Sequence, residues 1–131
     1  MIVDASALVA ILLAEPDAPI YATAIEGAPI RRLSAATFLE IAIVVDNRRH
    51  SSAGRRLDDA IRDASITIEP VTETQARIAR EAYRDYGRGS GHPAGLNFGD
   101  CFAYALARDK GEPLLFKGDD FARTDVRSAI A

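Results

Sequence analysis

Short apolar blocks alternate along this chain with longer stretches of helical spacing. Met1–Val3, Leu114–Phe116 and the alternating segment Ile66–Val71 read as strands, and Arg31–Leu33 reads as a weaker fourth. The longer stretches predict helices. Ser6–Leu13 is stopped at Glu15-Pro16, and Ala18–Ile25 has Asp17 as N-cap, Pro19 in its first turn and Gly27 at its end. Ser34 caps a helix from Ala35 to about His50, whose first half, Ala35–Val45, is apolar nearly all round and should be buried. Ser51 or Ser52 opens the next, which ends near Ala64 with Leu57, Ala60, Ile61 and Ala64 on one face. Thr72 to Gln75 has capping-box spacing for a helix to about Tyr86. Asn97 caps Phe98–Lys110, which Gly111 ends, and the tail from Phe121 holds a short helix or strand. Strands alternating with helices predict an α/β fold, a central parallel sheet flanked by helices on both faces. In such sheets ligands sit beyond the carboxyl ends of the strands.

Composition narrows the class. The chain has 131 residues, 48% hydrophobic and 27% charged, which predicts a single domain over 1–131 and excludes wholesale disorder. Its longest nearly apolar run, Ala5–Ala14, is half of the ~20 residues that span a bilayer, and no base precedes it. The expectation is a cytoplasmic protein without membrane or targeting segment. A single cysteine, Cys101, excludes an intrachain disulfide and a multi-cysteine metal site.

The acids change the picture. Asp4 follows the first strand and Asp119 and Asp120 follow the last, so the sheet rule puts them at one edge. Ordinary caps and turns would account for either alone. Glu40 is less ordinary. Its neighbours three and four residues away are Ala36, Thr37, Ile43 and Val44, so no base on its own helix pairs with it. A salt bridge from elsewhere in the fold is the bland account of it, and a metal or catalytic role the sharper one. Asp100 sits in the first turn of the Phe98 helix, where acids favour the helix dipole, yet its surroundings are apolar. Gly99 beside it implies close approach by another group. Four converging carboxylates repel one another unless a cation joins them, and hard oxygens select Mg2+ or Mn2+ over zinc. His50 and His92 are isolated. Such a site serves phosphate chemistry.

Charge follows from this. The net charge of −3, from 16 bases and 19 acids, weakly disfavours a nucleic-acid binder. Setting aside Asp4, Glu40, Asp100 and Asp120 leaves 15 acids against 16 bases. Arg88, His92, Lys117 and Arg123 lie on or near the same loops and could contact a nucleic-acid backbone, while the doublets Arg31-Arg32, Arg48-Arg49 and Arg55-Arg56 read as solvated surface. The segment from Gly87 to Leu96 has neither P-loop nor dinucleotide spacing and reads as a mobile flap beside Asp100.

With these residues in view, the chain resembles the PIN-domain ribonucleases, specifically VapC-type toxins of type II toxin–antitoxin pairs. The resemblance begins at Met-Ile-Val-Asp-Ala-Ser-Ala-Leu-Val and includes Glu40. It is most specific at His92-Pro-Ala-Gly-Leu-Asn-Phe-Gly-Asp-Cys101 and Leu115-Phe-Lys-Gly-Asp-Asp-Phe121. It implies a PIN domain and an Mg2+-dependent endoribonuclease that cleaves RNA phosphodiester bonds with a metal-activated water. Asp4 and Asp100 match the main metal ligands, Glu40 the helix acid, and Asp120 (or Asp119) the fourth acid. Ser6 matches a small hydroxyl residue beside the metal. The implied partners are RNA, a VapB-type antitoxin whose C-terminal segment lies across the acidic groove, and a second copy in a homodimer. Two other classes stand beside this reading. One is a different Mg2+-dependent phosphohydrolase, and the other is a catalytically inactive PIN-like interaction module.

Overall fold

The computed structural model describes residues 1–48 and 52–130. In chain order the elements are β1 (Ile2–Val3), α1 (Ala5–Leu12), α2 (Ala18–Gly27), β2 (Arg32–Ser34), α3 (Ala35–Asp46), α4 (Ala53–Asp63), β3 (Thr67–Glu69), α5 (Glu73–Tyr86), α6 (Phe98–Lys110) and β4 (Leu114–Leu115). A 3-10 turn, Phe121–Arg123, follows. The sheet is parallel, in the order β3-β2-β1-β4, with Ile2 opposite both Arg32 and Leu114. The chain therefore builds outward from β1 to β3, then returns to the far side of β1. The reversal lies between β1 and β4, and in sheets of this kind ligands bind at the carboxyl ends of the strands beside such a reversal.

Adjacent strand residues point to opposite faces, and each face has its own core. Val3, Leu33 and Leu115 pack with Leu8, Leu12, Tyr21, Ile25, Ile41, Val45 and Leu57 from α1 to α4. Ile2, Leu114 and Phe116 pack with Ala82, Leu96, Cys101, Tyr104, Leu106 and Phe121 on the α5–α6 side. Helices thus cover both faces, as the alternation of blocks predicts.

Three local expectations need correction. Helix α3 ends at Asp46 with Asn47 as its C-cap, short of His50. His50 itself, Arg49 and the proposed cap Ser51 lie outside the described residues. Nor is α3 buried all round. Thr37, Ile41 and Val45 face the core, whereas Leu39 and Ile43 are more than half exposed, because only one side of the helix meets the rest of the fold. Finally, the Gly87–Leu96 segment is a fastened loop. Its neck is closed by Arg88 N–H to Leu96 O and Leu96 N–H to Tyr86 O, both 2.9 Å. Inside it, Ser90 Oγ donates to Gly87 O at 2.6 Å and Ala94 N–H donates to His92 Nδ1 at 3.0 Å.

Candidate functional site

Asp4 leaves β1 and becomes the N-cap of α1. Its N–H donates to Leu115 O at 2.9 Å, the last hydrogen bond before β1 and β4 part. Its Oδ2 accepts from Ser6 N–H at 3.0 Å and from Ser6 Oγ at 2.6 Å. The side chain is buried. Burial pushes its pKa up to about 6, the charge of Asp100 adds to the rise, and the Ser6 bonds oppose it.

Glu40 reaches the same place from α3, half-buried. Burial raises its pKa first, then the charges of Asp4 and Asp100. Its carboxylate rests on the backbone of α6. A Cβ built on Gly99 would collide with Glu40 Oε2 and lie 2.8 Å from its Cδ. That is the close approach expected at Gly99. No lysine, arginine, histidine or chain terminus pairs with Glu40 among the described residues, so the salt-bridge account of it finds no partner.

Asp100 has two roles at once. It closes a capping box with Asn97, taking Asn97 N–H on Oδ2 at 2.9 Å and giving its own N–H to Asn97 Oδ1 at 2.8 Å. Burial raises its pKa, the Asn97 bond lowers it, Asp120 raises it and Arg88 lowers it. The helix-cap reading and the cluster reading therefore both hold. Asp120 and Asp119 are exposed on the loop after β4, and Asp120 is the one whose charge reaches Asp100.

The donor set fits a divalent cation. It is made of hard oxygens, three of the acids have raised pKa values, and none of the three is in an ion pair among the described residues. Among the described residues no group of three His, Cys, Asp or Glu side chains is close enough together to hold a metal ion as the side chains stand. Ser34 holds the N-cap position of α3 as expected but makes no side-chain cap hydrogen bond, and neither it nor Thr37 was singled out as a site residue. Both hydroxyls are buried without a protein partner, and Ser34 stands level with Asp4 across the β1–β2 register. Their signal was the register, which appears only when the strands pair.

The proposed RNA-contact residues separate. Arg88 is exposed and close enough to lower the Asp100 pKa. Arg123 is exposed and donates from Nη1 to Pro93 O at 3.2 Å. Lys117 is engaged within the protein, with Nζ 2.9 Å from Glu15 Oε2 and 3.0 Å from Asp17 Oδ1. His92 stacks edge-on against Tyr86 at 4.9 Å.

Comparison with known proteins gives the family and the fold. The sequence profile of the PIN domain matches residues 1–127. Ribonuclease VapC28 of Mycobacterium tuberculosis is 59% identical over 130 residues, covering 99% of this chain and 98% of that one. The chain is a PIN domain of the VapC ribonuclease family. Ribonuclease VapC42 of the same organism is 50% identical over 129 residues, with 98% of each chain covered. Among solved structures, this PIN domain superposes on Mycobacterium tuberculosis VapC20, described as a sarcin-ricin loop cleaving toxin, with a TM-score of 0.74 at 18% identity and 95% of each chain covered. A toxin–antitoxin complex from Klebsiella pneumoniae gives 0.71 at 17% identity, covering 99% of this chain and 94% of that one. At those identities the two structures speak for the fold. No helix is long and apolar enough to cross a membrane among the described residues.

Proposed function

We propose that this PIN domain is an Mg2+-dependent endoribonuclease, the toxin of a VapBC-type pair, acting in the cytoplasm with Mn2+ as a possible substitute. The observation that carries the reading is that Asp4, Glu40 and Asp100, from three elements, lie within electrostatic reach of one another: Asp100 raises the pKa of Asp4, Asp4 and Asp100 raise that of Glu40, and none of the three forms an ion pair with a base among the described residues. The relatives named as ribonucleases supply the substrate class. Asp4 and Asp100 would hold the ion, and Glu40 and Asp120 (or Asp119) would complete its shell directly or through water. A divalent cation there neutralises phosphate charge and acidifies a water. The protein's own share is positioning. Ser6 fixes the Asp4 carboxylate, Asn97 fixes Asp100, and the flat surface of Gly99 lets Glu40 in. Arg88 and Arg123, on the exposed rim, would take backbone phosphates of the RNA.

The partners follow from what the surface leaves open. Uncompensated carboxylates attract an arginine or lysine as they attract a metal, so a VapB-type antitoxin would block the site with a basic residue. An apolar cleft of about 270 Å³ between α1, α2 and α4, lined by Leu8, Ile11, Ile25 and Ile66, would seat its apolar side chains. The exposed Leu39 and Ile43 of α3 suit a second copy in a homodimer.

The test is RNA cleavage titrated with Mg2+. Wild type should cut as Mg2+ is added and stop in EDTA. Asp4→Asn and Asp100→Asn should remain folded and lose cleavage. Undiminished cutting in EDTA, or by either variant, would refute the proposal.

A further inference from the structure

Lys117, expected as a contact for a nucleic-acid backbone, has its ammonium engaged within the protein. It bridges Glu15 and Asp17 in the turn between α1 and α2, at 2.9 and 3.0 Å, and Asp17 is further tied to the Tyr21 hydroxyl at 3.3 Å. The backbone of the same residue does something else. Lys117 N–H donates to Ser6 Oγ at 2.9 Å, and Ser6 Oγ donates its single proton to Asp4 Oδ2 at 2.6 Å. Because the serine oxygen already accepts from Lys117, its proton is committed to the carboxylate. One residue thus ties the α1–α2 turn, through its side chain, to the hydrogen-bond chain that fixes Asp4. It also begins the segment Gly118-Asp119-Asp120, where Gly118 adopts φ +99, a left-handed turn suited to glycine. The link spans the point where the strand order reverses, between β1 and β4.

We propose that Lys117 is a positioning residue for the metal site. Clamped by Glu15 and Asp17, it holds the Ser6–Asp4 pair and the start of the Asp120 loop in register for a divalent cation. This rests on the metal-dependent reading above. It also makes a prediction that charge alone would reverse. Removing a positive side chain near a cation site should tighten cation binding by simple electrostatics. Removing a positioning group should weaken it, by roughly 10-fold or more, the loss typical of groups that orient metal ligands.

The experiment measures Mn2+ binding calorimetrically on the isolated protein, with folding checked by circular dichroism. Lys117→Met keeps the aliphatic stem and removes the ammonium. It should bind Mn2+ roughly 10-fold more weakly than wild type, and Lys117→Arg, which can still bridge two carboxylates, should recover most of the loss. If Lys117→Met does not fold, Lys117→Gln is measured in its place against the same expectation. Unchanged or tighter Mn2+ binding in the folded variant overturns the proposal. So does weaker RNA binding at unchanged Mn2+ affinity, which would return Lys117 to an RNA contact. Failure of wild type itself to bind Mn2+ would instead defeat the metal-dependent reading on which the proposal rests.

Discussion

The two ends of the sheet handle charge in opposite ways. At the amino ends of the strands the charges are paired. The Met1 ammonium meets Glu112 Oε1 at 2.8 Å, and Arg32, which opens β2, meets Glu112 at 2.7 Å and reaches along β3 to Glu69, its last residue, at 2.6 Å. Arg31 beside it donates to three backbone carbonyls, Glu26, Ala28 and Ala64, closing helix ends that would otherwise be unsatisfied. At the carboxyl ends, Asp4, Glu40 and Asp100 lie within electrostatic reach of one another without an ion pair among the described residues. Both ends are built on the same three strands, β2, β1 and β4. The difference shows that the carboxyl end is not a place where charge was tolerated for want of partners, since partners are used freely some residues away. On the proposed reading, stability is concentrated at one end and a binding demand at the other.

If that division is right, substitutions at the two ends should separate stability from activity. Gly99→Ala places a methyl against the Glu40 carboxylate and must displace it. RNA cleavage should fall by roughly tenfold to a hundredfold, as small displacements in catalytic geometry do. The melting temperature should change little, because alanine favours the helix over glycine by roughly 0.5–1 kcal/mol and offsets part of the collision. Glu112→Gln should do the reverse. It strips one acid from both Arg32 and the Met1 ammonium, so Tm should fall by several degrees while cleavage stays at wild-type levels. Thermal melts and initial cleavage rates on the two variants decide it. Equal losses of both properties in both variants would erase the contrast.

The pH dependence of stability should also split between the ends. The Asp4 pKa is raised to about 6 in the folded state against an ordinary 3.8. Between those values the folded protein keeps a proton that the unfolded chain has lost. Stability therefore falls as pH rises through this window, by on the order of 3 kcal/mol for this group. Glu40 and Asp100 are raised too and act in the same direction. Glu112 is lowered, because the Met1 ammonium and Arg32 outweigh its burial. Its contribution is present above its ordinary 4.5 and is lost as pH falls through its folded value. In EDTA, Tm should peak in mildly acidic solution and decline toward neutrality. Asp4→Asn should flatten the neutral side and Glu112→Gln the acid side. A Tm that climbs steadily from pH 4 to 7 in EDTA would contradict the charge state assigned to the cluster.

The same contrast explains what could be read from the sequence. Asp4, Asp100 and Asp120 announced themselves because strand ends and helix starts are local signals and the sheet rule converts them into one edge. Glu40 was legible because an acid without a base within one helical turn is conspicuous. The ion pairs of Lys117 were hidden for a physical reason. A lysine after a strand beside two aspartates looks like a groove base, and only the three-dimensional return of the α1–α2 turn brings Glu15 and Asp17, 102 and 100 positions away, onto its ammonium. The exposed side of α3 was hidden likewise. An apolar helix has no sequence mark for the face that the fold leaves uncovered, and Leu39 and Ile43 differ from Ile41 only in direction.

The smallest expected effect sharpens the boundary of the acidic end. Arg88 is the base whose charge reaches the cluster, where it lowers the Asp100 pKa without forming an ion pair. It is exposed, and its backbone is fixed at the neck of the Gly87–Leu96 loop, so its guanidinium is presented from a rigid base. Arg123 spends one donor on Pro93 O, and Lys117 is committed to Glu15 and Asp17. Of the three bases, Arg88 is therefore the freest to meet an RNA phosphate. Arg88→Gln should weaken RNA binding modestly and reduce the slope of log affinity against log salt by roughly 0.7–1, the loss of one phosphate contact. Mn2+ binding should hold or tighten slightly, because a positive charge has left the neighbourhood of the cation site. Lys117→Met should move Mn2+ affinity in the opposite direction. The pair of variants thus separates a base that faces the substrate from one that holds the site together. An unchanged salt slope in Arg88→Gln would place the RNA path elsewhere on the surface.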